Sequence, residues 1–257
     1  MRINVGIAGA LAAALIFAGA GLAAAQTGTP LPGLPALNIV QDGEGGQTYS
    51  LSLQILALMT VLTVLPSFLL GMTSFTRIII VLSILRQALG TQQTPPNQVL
   101  ISVALFVTFF IMTPTLTALN DTALTPYLDG EITAAQAYDD GTAIMKRFLL
   151  ANTRNDELVL FAEMSATGPY EAKEDVPFSV LLPAFITSEL KTAFQIGFLI
   201  FLPFLVIDMV VASALMSLGM MMLSPMLISL PFKLLLFVLV DGWSMTFGSI
   251  AATYASG

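Results

Sequence analysis

Residues 194–218 read FQIGFLIFLPFLVIDMVVASALMSL, an apolar run in which Asp208 is the one charged residue. A transmembrane helix needs about 20 consecutive apolar residues to cross the hydrocarbon core of a bilayer. The run therefore predicts a membrane-type helix. Three further apolar runs have a similar composition, at residues 52–72, 99–119 and 232–250. Together they predict an all-α fold of membrane-type helical hairpins, with about four long, broken hydrophobic helices.

Prolines and one glycine interrupt these runs. We expect Pro66 to kink the first helix and Pro114 to interrupt the second, because proline lacks the N–H that a helical hydrogen bond requires. Pro203 lies inside the third run. The sequence Asp241-Gly242-Trp243 predicts a break in the fourth helix, with the aromatic ring as an interfacial anchor.

Composition changes between the two pairs of runs. Residues 121–175 hold most of the acidic side chains of the chain, together with several basic ones. This predicts a small, helical, water-exposed insert that lies outside the cytoplasm. The predicted organisation is a first hydrophobic hairpin over residues 51–119, an acidic insert over 120–180 and a second hydrophobic hairpin over 181–257.

The N-terminal segment has the pattern of a bacterial secretory signal peptide. Arg2 is followed by an apolar run over residues 5–22, and Ala23-Ala24-Ala25 offers a small-residue cleavage site before Gln26. A retained first transmembrane helix is the alternative. Residues 26–50 are rich in Pro, Gly and Thr and predict a flexible linker. A cleaved signal peptide and several spans predict a multi-pass protein of the bacterial inner membrane.

The composition excludes several classes of function. The 257 residues have a mean hydropathy of +0.87, and 10% are charged, compared with roughly a quarter in soluble domains. The net charge of −7 argues against nucleic-acid binding. The chain has no Cys and no His, which removes thiol and imidazole chemistry and the common zinc and haem ligands. Carboxylate-bound metals stay possible in principle, and we predict no cofactor.

Two other functions fit parts of the sequence. An intramembrane aspartyl protease would use Asp208 and Asp241, but neither follows the Gly-x-Gly sequence of that class. A secondary transporter would suit broken helices with charges at mid-depth. However, the two halves show no repeat, and four helices are few for a pathway within one chain. The sequence therefore favours a protein that is not an enzyme, and a pore between such helices would need a ring of subunits.

Charges within apolar runs are functional candidates because burying them is costly. Asp208 and Lys233 lie at equal sequence distance from the middle of the second hairpin. An antiparallel hairpin would bring them to the same depth, where they could pair within one chain or between subunits. The alternative is that the lysine reaches the membrane interface and the aspartate caps a broken helix.

Four further charged residues carry predictions. Glu189 and Lys191 are two residues apart, so they face different directions on a helix and each is expected to contact another element. Arg77 and Arg86 form a positive cluster beside a membrane segment, which predicts that this end faces the cytoplasm. The two arginines are about 2.5 helical turns apart, so they also point in different directions. We predict that all four residues are buried charges that support assembly; the ordinary alternative for the arginines is to set topology.

The tip of the second hairpin is the Met loop, residues 218–225, with the sequence LGMMMLSP. Gly219 and Pro225 bracket Met220, Met221 and Met222, which cannot share one helix face because successive residues turn by about 100°. This predicts a loop or re-entrant segment with Gly219 and Pro225 as its hinges. Methionine side chains are flexible and fill irregular gaps, so a ring of such loops would form a deformable apolar plug. Ordinary core filling is the alternative.

Several stretches resemble the FliP family, the P subunit of the flagellar type III protein export gate. Residues 183–197, PAFITSELKTAFQIG, are similar to one family signature, and residues 230–234, LPFKL, are similar to a second. Residues 74–112 also fit the family, as does the sequence from Asp208-Met209-Val210 to Gly219-Met220-Met221-Met222. The likeness covers residues 50–255, most of the mature chain.

The resemblance implies a function in flagellum biosynthesis. Family members assemble in several copies with the Q and R subunits into a conical complex in the basal body, around a channel that conducts unfolded flagellar substrate proteins. The helices bury much of their apolar surface against one another, raised toward the periplasm. The resemblance assigns Met220, Met221 and Met222 to the constriction that seals the channel. It assigns Asp208 and Lys233 to buried charges that matter for assembly or gating.

Overall fold

The computed structural model describes residues 38–41, 47–50, 53–91, 93–166, 168, 170, 172–220 and 223–255. The predicted signal peptide, residues 1–25, lies outside these ranges, as do Met221 and Met222. The chain divides into two units, residues 1–63 and 64–257. The side-chain contacts discussed below lie within the second unit.

The first unit contains a short antiparallel ladder. Strand β1 (Asn38–Gln41) pairs with strand β2 (Gln47–Ser50), with Asn38 opposite Ser50. Valine, isoleucine, threonine and tyrosine favour extended structure, and the two strands contain all four types. The sequence predicted a flexible linker over residues 26–50, and paired strands therefore occupy part of that segment.

The remaining described elements are helical. They are α1 (Leu53–Gly71), α2 (Phe75–Ala88), α3 (Asn97–Leu119), a π-helical segment (Asn120–Leu124), α4 (Thr125–Leu128), α5 (Ala134–Asn152), α6 (Asn155–Met164), a 3₁₀ turn (Lys173–Asp175), α7 (Phe178–Ser217), α8 (Pro225–Leu239) and α9 (Gly242–Ala255).

Within the described residues, two continuous helices are long and apolar enough to cross a membrane, Asn97–Leu128 and Phe178–Ser217. Two bent pairs pass the same test together. Leu56–Gly71 and Phe75–Ala88 meet at 72°, and Pro225–Leu239 and Gly242–Tyr254 meet at 63°. The predicted fold class is confirmed: the chain is helical, with several long, apolar, bent helices arranged as hairpins.

The interruption predicted at Pro114 is absent, because α3 continues through this residue. Helices α1 and α7 likewise continue through Pro66 and Pro203. A proline removes one hydrogen bond from a helix, and the long apolar segments on either side keep the helix continuous. The first bend occurs instead at residues 72–74. There the Thr73 hydroxyl donates to Leu70 O (2.9 Å) and accepts from Phe75 N–H (3.3 Å).

The break predicted at Asp241-Gly242 is present. Asp241 has a φ of 50°, and α9 begins at Gly242. A Cβ on Gly242 would lie 2.2 Å from the Phe237 ring, so only glycine permits α9 to turn this closely over α8.

The main apolar core lies where α2 packs against α7. Its buried residues come from α2, α3, α7 and α9: Ile78, Val81, Leu82, Leu100, Ala104, Ala193, Ile196 and Ile250. Helix α7 approaches α2 closely at Gly197, where an added Cβ would lie 2.4 Å from Ile84 Cδ1. Helix α7 is thus the central element of the second unit.

The insert is helical, as predicted, but it is not water-exposed throughout. Leu149 of α5 and Leu158 of α6 are buried in a second cluster with Leu181 and Phe185 of α7. Glu157, expected at the surface with the other acidic residues, is 5% exposed. The burial of Glu157 has a simple cause. Both insert helices are amphipathic, so their apolar faces pack on the first turns of α7 and carry Glu157 inward.

Candidate functional site

Asp208 and Lys233 form an ion pair within one chain. Asp208 lies on α7 and Lys233 on α8, and Lys233 Nζ donates to Asp208 Oδ2 at 2.6 Å. Ser229, one turn before the lysine, donates from Oγ to Asp208 Oδ1 at 2.5 Å. Both carboxylate oxygens are therefore held by α8. Lysine and serine are buried, whereas the Asp208 side chain is 34% exposed.

The start of the α2–α3 turn lies beside this pair. Gly90 has a φ of +79°, and a Cβ built on it would lie 3.9 Å from Lys233 Nζ and 3.5 Å from Leu230 Cδ1. The lysine is thus enclosed by three elements, and its position is fixed by packing as well as by charge.

The Met loop begins with a Schellman motif. Helix α7 ends at Ser217, and Gly219 adopts the left-handed conformation with a φ of +72°. Met220 N–H donates to Leu215 O and Gly219 N–H donates to Met216 O, both at 3.0 Å. Glycine adopts this conformation without strain, so the sequence encodes the end of the helix.

The loop ends where α8 begins at Pro225, the position at which proline's missing N–H costs nothing. Of the three loop methionines, Met220 lies within the described residues, and it is 44% exposed. Ser224 and Pro225 border an open groove in front of Asp208, which Leu205 and Met209 also line. The loop exit and the ion pair therefore share one surface.

A second ion pair lies in the main core. Arg77 of α2 binds Glu189 of α7 through two N–H groups, Nε to Oε2 at 2.9 Å and Nη2 to Oε1. The exposed fractions of the side chains are 3% and 0%. Tyr254 of α9 donates its hydroxyl to Glu189 Oε2 at 2.5 Å, and its ring centroid lies 3.9 Å from Arg77 Cζ. Thr253 accepts from Arg77 Nη1 at 2.7 Å.

Arg77 and Arg86 contact different elements, which agrees with the different directions that their spacing predicts. Arg77 is buried and neutralised by Glu189. Arg86 donates to Asn97 Oδ1 at 2.6 Å and to Pro95 O at 3.2 Å, bracing the turn between α2 and α3. The cytoplasmic orientation of this end stays a prediction.

Polar contacts also join the insert to α7. Lys191 Nζ donates to Glu157 Oε1 at 2.9 Å. Arg154 donates from its backbone N–H to Ser188 Oγ at 3.1 Å and from Nη2 to Thr192 Oγ1 at 3.2 Å. As expected from their spacing, Glu189 and Lys191 reach different elements: α2 and α9 on one side, α6 on the other.

Sequence reasoning missed Ser229, Tyr254, Glu157 and Arg154. A weak signal existed for two of them. Ser229 lies four residues before Lys233, which puts both on one helix face. Tyr254 places a hydroxyl in an apolar helix, where such a group needs a partner. Within the part of the chain that the structure describes, no group of three His, Cys, Asp or Glu side chains has the arrangement of a metal site.

Comparison with known proteins gives a consistent result. A model of the FliP family matches residues 58–250. The chain is 70% identical over 222 residues to the flagellar biosynthetic protein FliP of Cereibacter sphaeroides, covering 86% of this chain and 73% of that protein. It is 54% identical over 223 residues to the FliP of Pectobacterium carotovorum, covering 87% and 86%. It is 52% identical over 208 residues to the FliP of Bacillus subtilis, covering 81% and 94%.

Proposed function

The chain belongs to the FliP family, and from that premise we propose that it is a channel-forming subunit of the flagellar type III protein export gate. In this proposal several copies assemble with the Q and R subunits in the inner membrane and the flagellar basal body. The complex conducts unfolded flagellar substrates. The names of its relatives, flagellar biosynthetic proteins, support the flagellar use.

The observation that carries the proposal is the uncovered apolar surface of the spanning helices. Phe106 and Phe110 on α3 are 75% and 76% exposed in the single chain, and Phe198 and Leu199 on α7 are 62% and 66% exposed. Surfaces of this kind require lipid or other subunits to cover them. Because the described residues offer at most four spans, a pore for a polypeptide needs a ring of subunits.

The Met loop supplies the closure. The loop begins at the Schellman motif of Gly219 and ends at the helix start at Pro225, so both of its ends have defined positions. Loops from several copies, meeting on the channel axis, would form a hydrophobic constriction. We assign Met220, Met221 and Met222 to this gasket, with Gly219 and Pro225 as hinges.

The ion pairs support the assembly. We assign Asp208 and Lys233 to the rigidity of the second hairpin, and Arg77 and Glu189 to the junction of α2, α7 and α9. Lys191 fixes the insert, which we expect on the periplasmic side, and Arg86 faces the cytoplasm. The signal peptide is removed from the mature chain.

We propose that the chain is a conduit that does not itself supply energy for export, and that it has no enzymatic activity. The sequence has no glycine-rich phosphate loop of the kind that nucleotide-driven transport requires, so energy for export comes from other components. The chain's contribution is the conduit and its seal.

The test is the mass of the purified particle. The chain is co-expressed with the Q and R subunits, extracted in mild detergent and analysed by native mass spectrometry. A particle with several copies of this chain and both partners is the expected result. A stable monomer that never binds either partner would contradict the proposal and favour a secondary transporter as the alternative function.

A further inference from the structure

The basic side chains of the insert gather at one place. The insert, residues 120–180, is mostly acidic and has four basic residues: Lys146, Arg147, Arg154 and Lys173. Arg154 donates to Thr192 and Gln195 of α7. The other three line one open groove between α5 and the segment that joins the 3₁₀ turn to α7. This groove, which Leu150 and Phe178 also line, is called the basic groove below.

The basic groove combines charge with apolar surface. Its volume of about 660 Å³ lies within the range of roughly 300–1,000 Å³ found for pockets that hold whole small molecules, so it has room for protruding side chains. Lys146 Nζ donates to Glu174 O, which fixes the 3₁₀ turn against α5. Asp139 and Glu174 also line the groove, and the three basic residues outnumber these two acidic ones.

The three basic side chains of the groove have no carboxylate partner of their own. Arg147 and Lys173 are exposed, and none of the three belongs to an ion pair among the described residues. Their charges are therefore available to carboxylates from outside the chain.

A surface with matching chemistry lies at the tip of the same insert, where α4 is joined to α5. Leu128 and Tyr138 are 72% and 71% exposed. Three exposed carboxylates accompany them in the sequence, and the acidic tip is defined as Leu128, Asp129, Glu131, Tyr138 and Asp140. Within the described part of the chain, none of the three carboxylates belongs to an ion pair. The tip thus offers acidic and apolar side chains where the groove offers basic and apolar ones.

The acidic tip has a defined conformation. Glu131 N–H donates to Pro126 O at 2.9 Å, and Gly130 turns the chain with a φ of +76°. Thr133 and Gln136 form a capping box at the start of α5. A tip that is held in this way loses little conformational entropy when it binds a partner.

We propose that the acidic tip of one copy binds in the basic groove of the next copy. No ion pair joins the two surfaces within the described part of one chain. The continuous helix α5 holds them apart, because Asp140 and Lys146 are separated by about 9 Å along its axis. A contact between two different surfaces of one chain repeats from copy to copy and closes into a ring when the rotation permits.

The inference rests on the proposed function, which requires several copies, and it names the surfaces through which neighbouring inserts meet. The exposed leucine and tyrosine of the tip supply apolar area to bury. The opposite charges determine which surfaces meet and in which register, since charge complementarity contributes more to specificity than to affinity.

The test measures self-association of the full chain, purified without other subunits in mild detergent, by analytical ultracentrifugation. The groove variant is Arg147→Glu, Lys173→Glu, and the tip variant is Glu131→Lys, Asp140→Lys. All four positions are exposed. In either variant like charges face each other, so we expect the dissociation constant for self-association to rise about tenfold or more. A variant with all four substitutions restores opposite charges with exchanged signs, and we expect it to associate like the original protein.

A matched control separates this contact from a general effect of net charge. Asp156→Lys, Glu163→Lys on α6 changes the net charge by the same amount as the tip variant, and both positions are exposed. We expect its self-association to be unchanged. Raising the salt concentration from 0.1 M to 1 M shortens the screening length from about 10 Å to about 3 Å. It should weaken self-association of the original protein and of the four-substitution variant alike.

Three results would overturn the inference. The first is self-association of the groove and tip variants at the level of the original protein, and the second is failure of the four-substitution variant to recover. The third is a groove variant that loses binding to the Q or R subunits while its self-association is unchanged, because another subunit would then occupy the groove.

The proposed function is tested separately by binding of the unaltered chain to the Q and R subunits. A chain that binds both subunits but is monomeric by itself contradicts only the inference. A chain that binds neither subunit contradicts the proposed function.

Discussion

At the scale of residues, a buried ion pair is stable only if its remaining hydrogen-bonding groups find partners. Moving a carboxylate and a guanidinium out of water costs more than their attraction returns unless the remaining lone pairs and protons find partners. Glu189 has three donated hydrogen bonds, two from Arg77 and one from Tyr254. Arg77 also has Thr253 and the Tyr254 ring. The pair is thus tolerated because two further side chains, Thr253 and Tyr254 of α9, satisfy its remaining groups.

Glu189→Ala should destabilise the chain strongly, by about 3–5 kcal/mol, because it leaves Arg77 buried and unpaired. The measurement is the midpoint of thermal unfolding of the purified protein in detergent. Glu163→Ala, at an exposed acidic residue of α6, is the control and should have little effect. The double variant Arg77→Met, Glu189→Leu should recover much of the loss. A double variant less stable than Glu189→Ala would contradict this explanation.

Lys233→Ala should lower the yield of assembled complex, because Asp208 would lose its charged partner at the junction of α7 and α8. Yield is read from the recovery of particles containing the Q and R subunits. Lys173→Ala is the matched control, since Lys173 is an exposed lysine of the insert. Normal yield and normal secretion with Lys233→Ala would exclude an assembly role.

At the scale of elements, α7 is the central helix of the second unit because several of its faces contact other elements. Gly197 and Ala193 let α2 approach it, Leu181 and Phe185 accept the insert, and Asp208 receives α8. Small residues at a helix contact allow backbones to come close, which favours association where the hydrophobic effect is weak.

Gly197→Ala tests this close approach. Alanine is the better helix former by about 1 kcal/mol, yet its Cβ would lie 3.2 Å from Ile84 Cβ and closer still to the methyl groups. We expect the unfolding midpoint to fall. Gly248→Ala on α9 is the matched control: no atom lies within 4 Å of its Cβ, so it should be neutral or stabilising. If the two substitutions changed the unfolding midpoint equally, helix propensity and not the contact with Ile84 would determine the effect.

At the scale of the whole molecule, buried polar side chains and apolar surfaces differ. Most buried polar side chains of the described residues find hydrogen-bond partners within the chain, whereas large apolar surfaces stay exposed. Among the described side chains, Ser74 Oγ is the one buried polar atom without a hydrogen bond. By contrast, α3 and α7 expose phenylalanine and leucine side chains along their length. These exposed faces need lipid or other protein to cover them, whereas the buried charges find partners within the chain.

Replacing Met220, Met221 and Met222 together by alanine should open the resting channel to ions and small solutes, because the shorter side chains leave a gap on the axis. Conductance of assembled particles measures it. Met164→Ala, at an exposed methionine of the insert, is the control and should not leak. A stably assembled triple variant with an unchanged leak would count against the gasket.

The sequence by itself determined the helical class, the approximate extent of the hydrophobic segments, the break at Asp241-Gly242 and the boundaries of the Met loop. These depend on local composition, on the lengths of apolar runs and on the conformations that glycine and proline favour. It also indicated that Glu189 and Lys191 reach different elements, because helical spacing fixes relative direction.

Tertiary structure alone decided which partners meet. Arg77 and Tyr254 lie far from Glu189 in sequence, and no local rule joins them. Pro114 likewise indicated an interruption, although the long apolar segments around it keep α3 continuous. The sequence predicted a surface position for Glu157, but the packing of the insert on α7 buries it. Pairings across a fold depend on how helices pack in three dimensions, and a one-dimensional pattern does not contain that information.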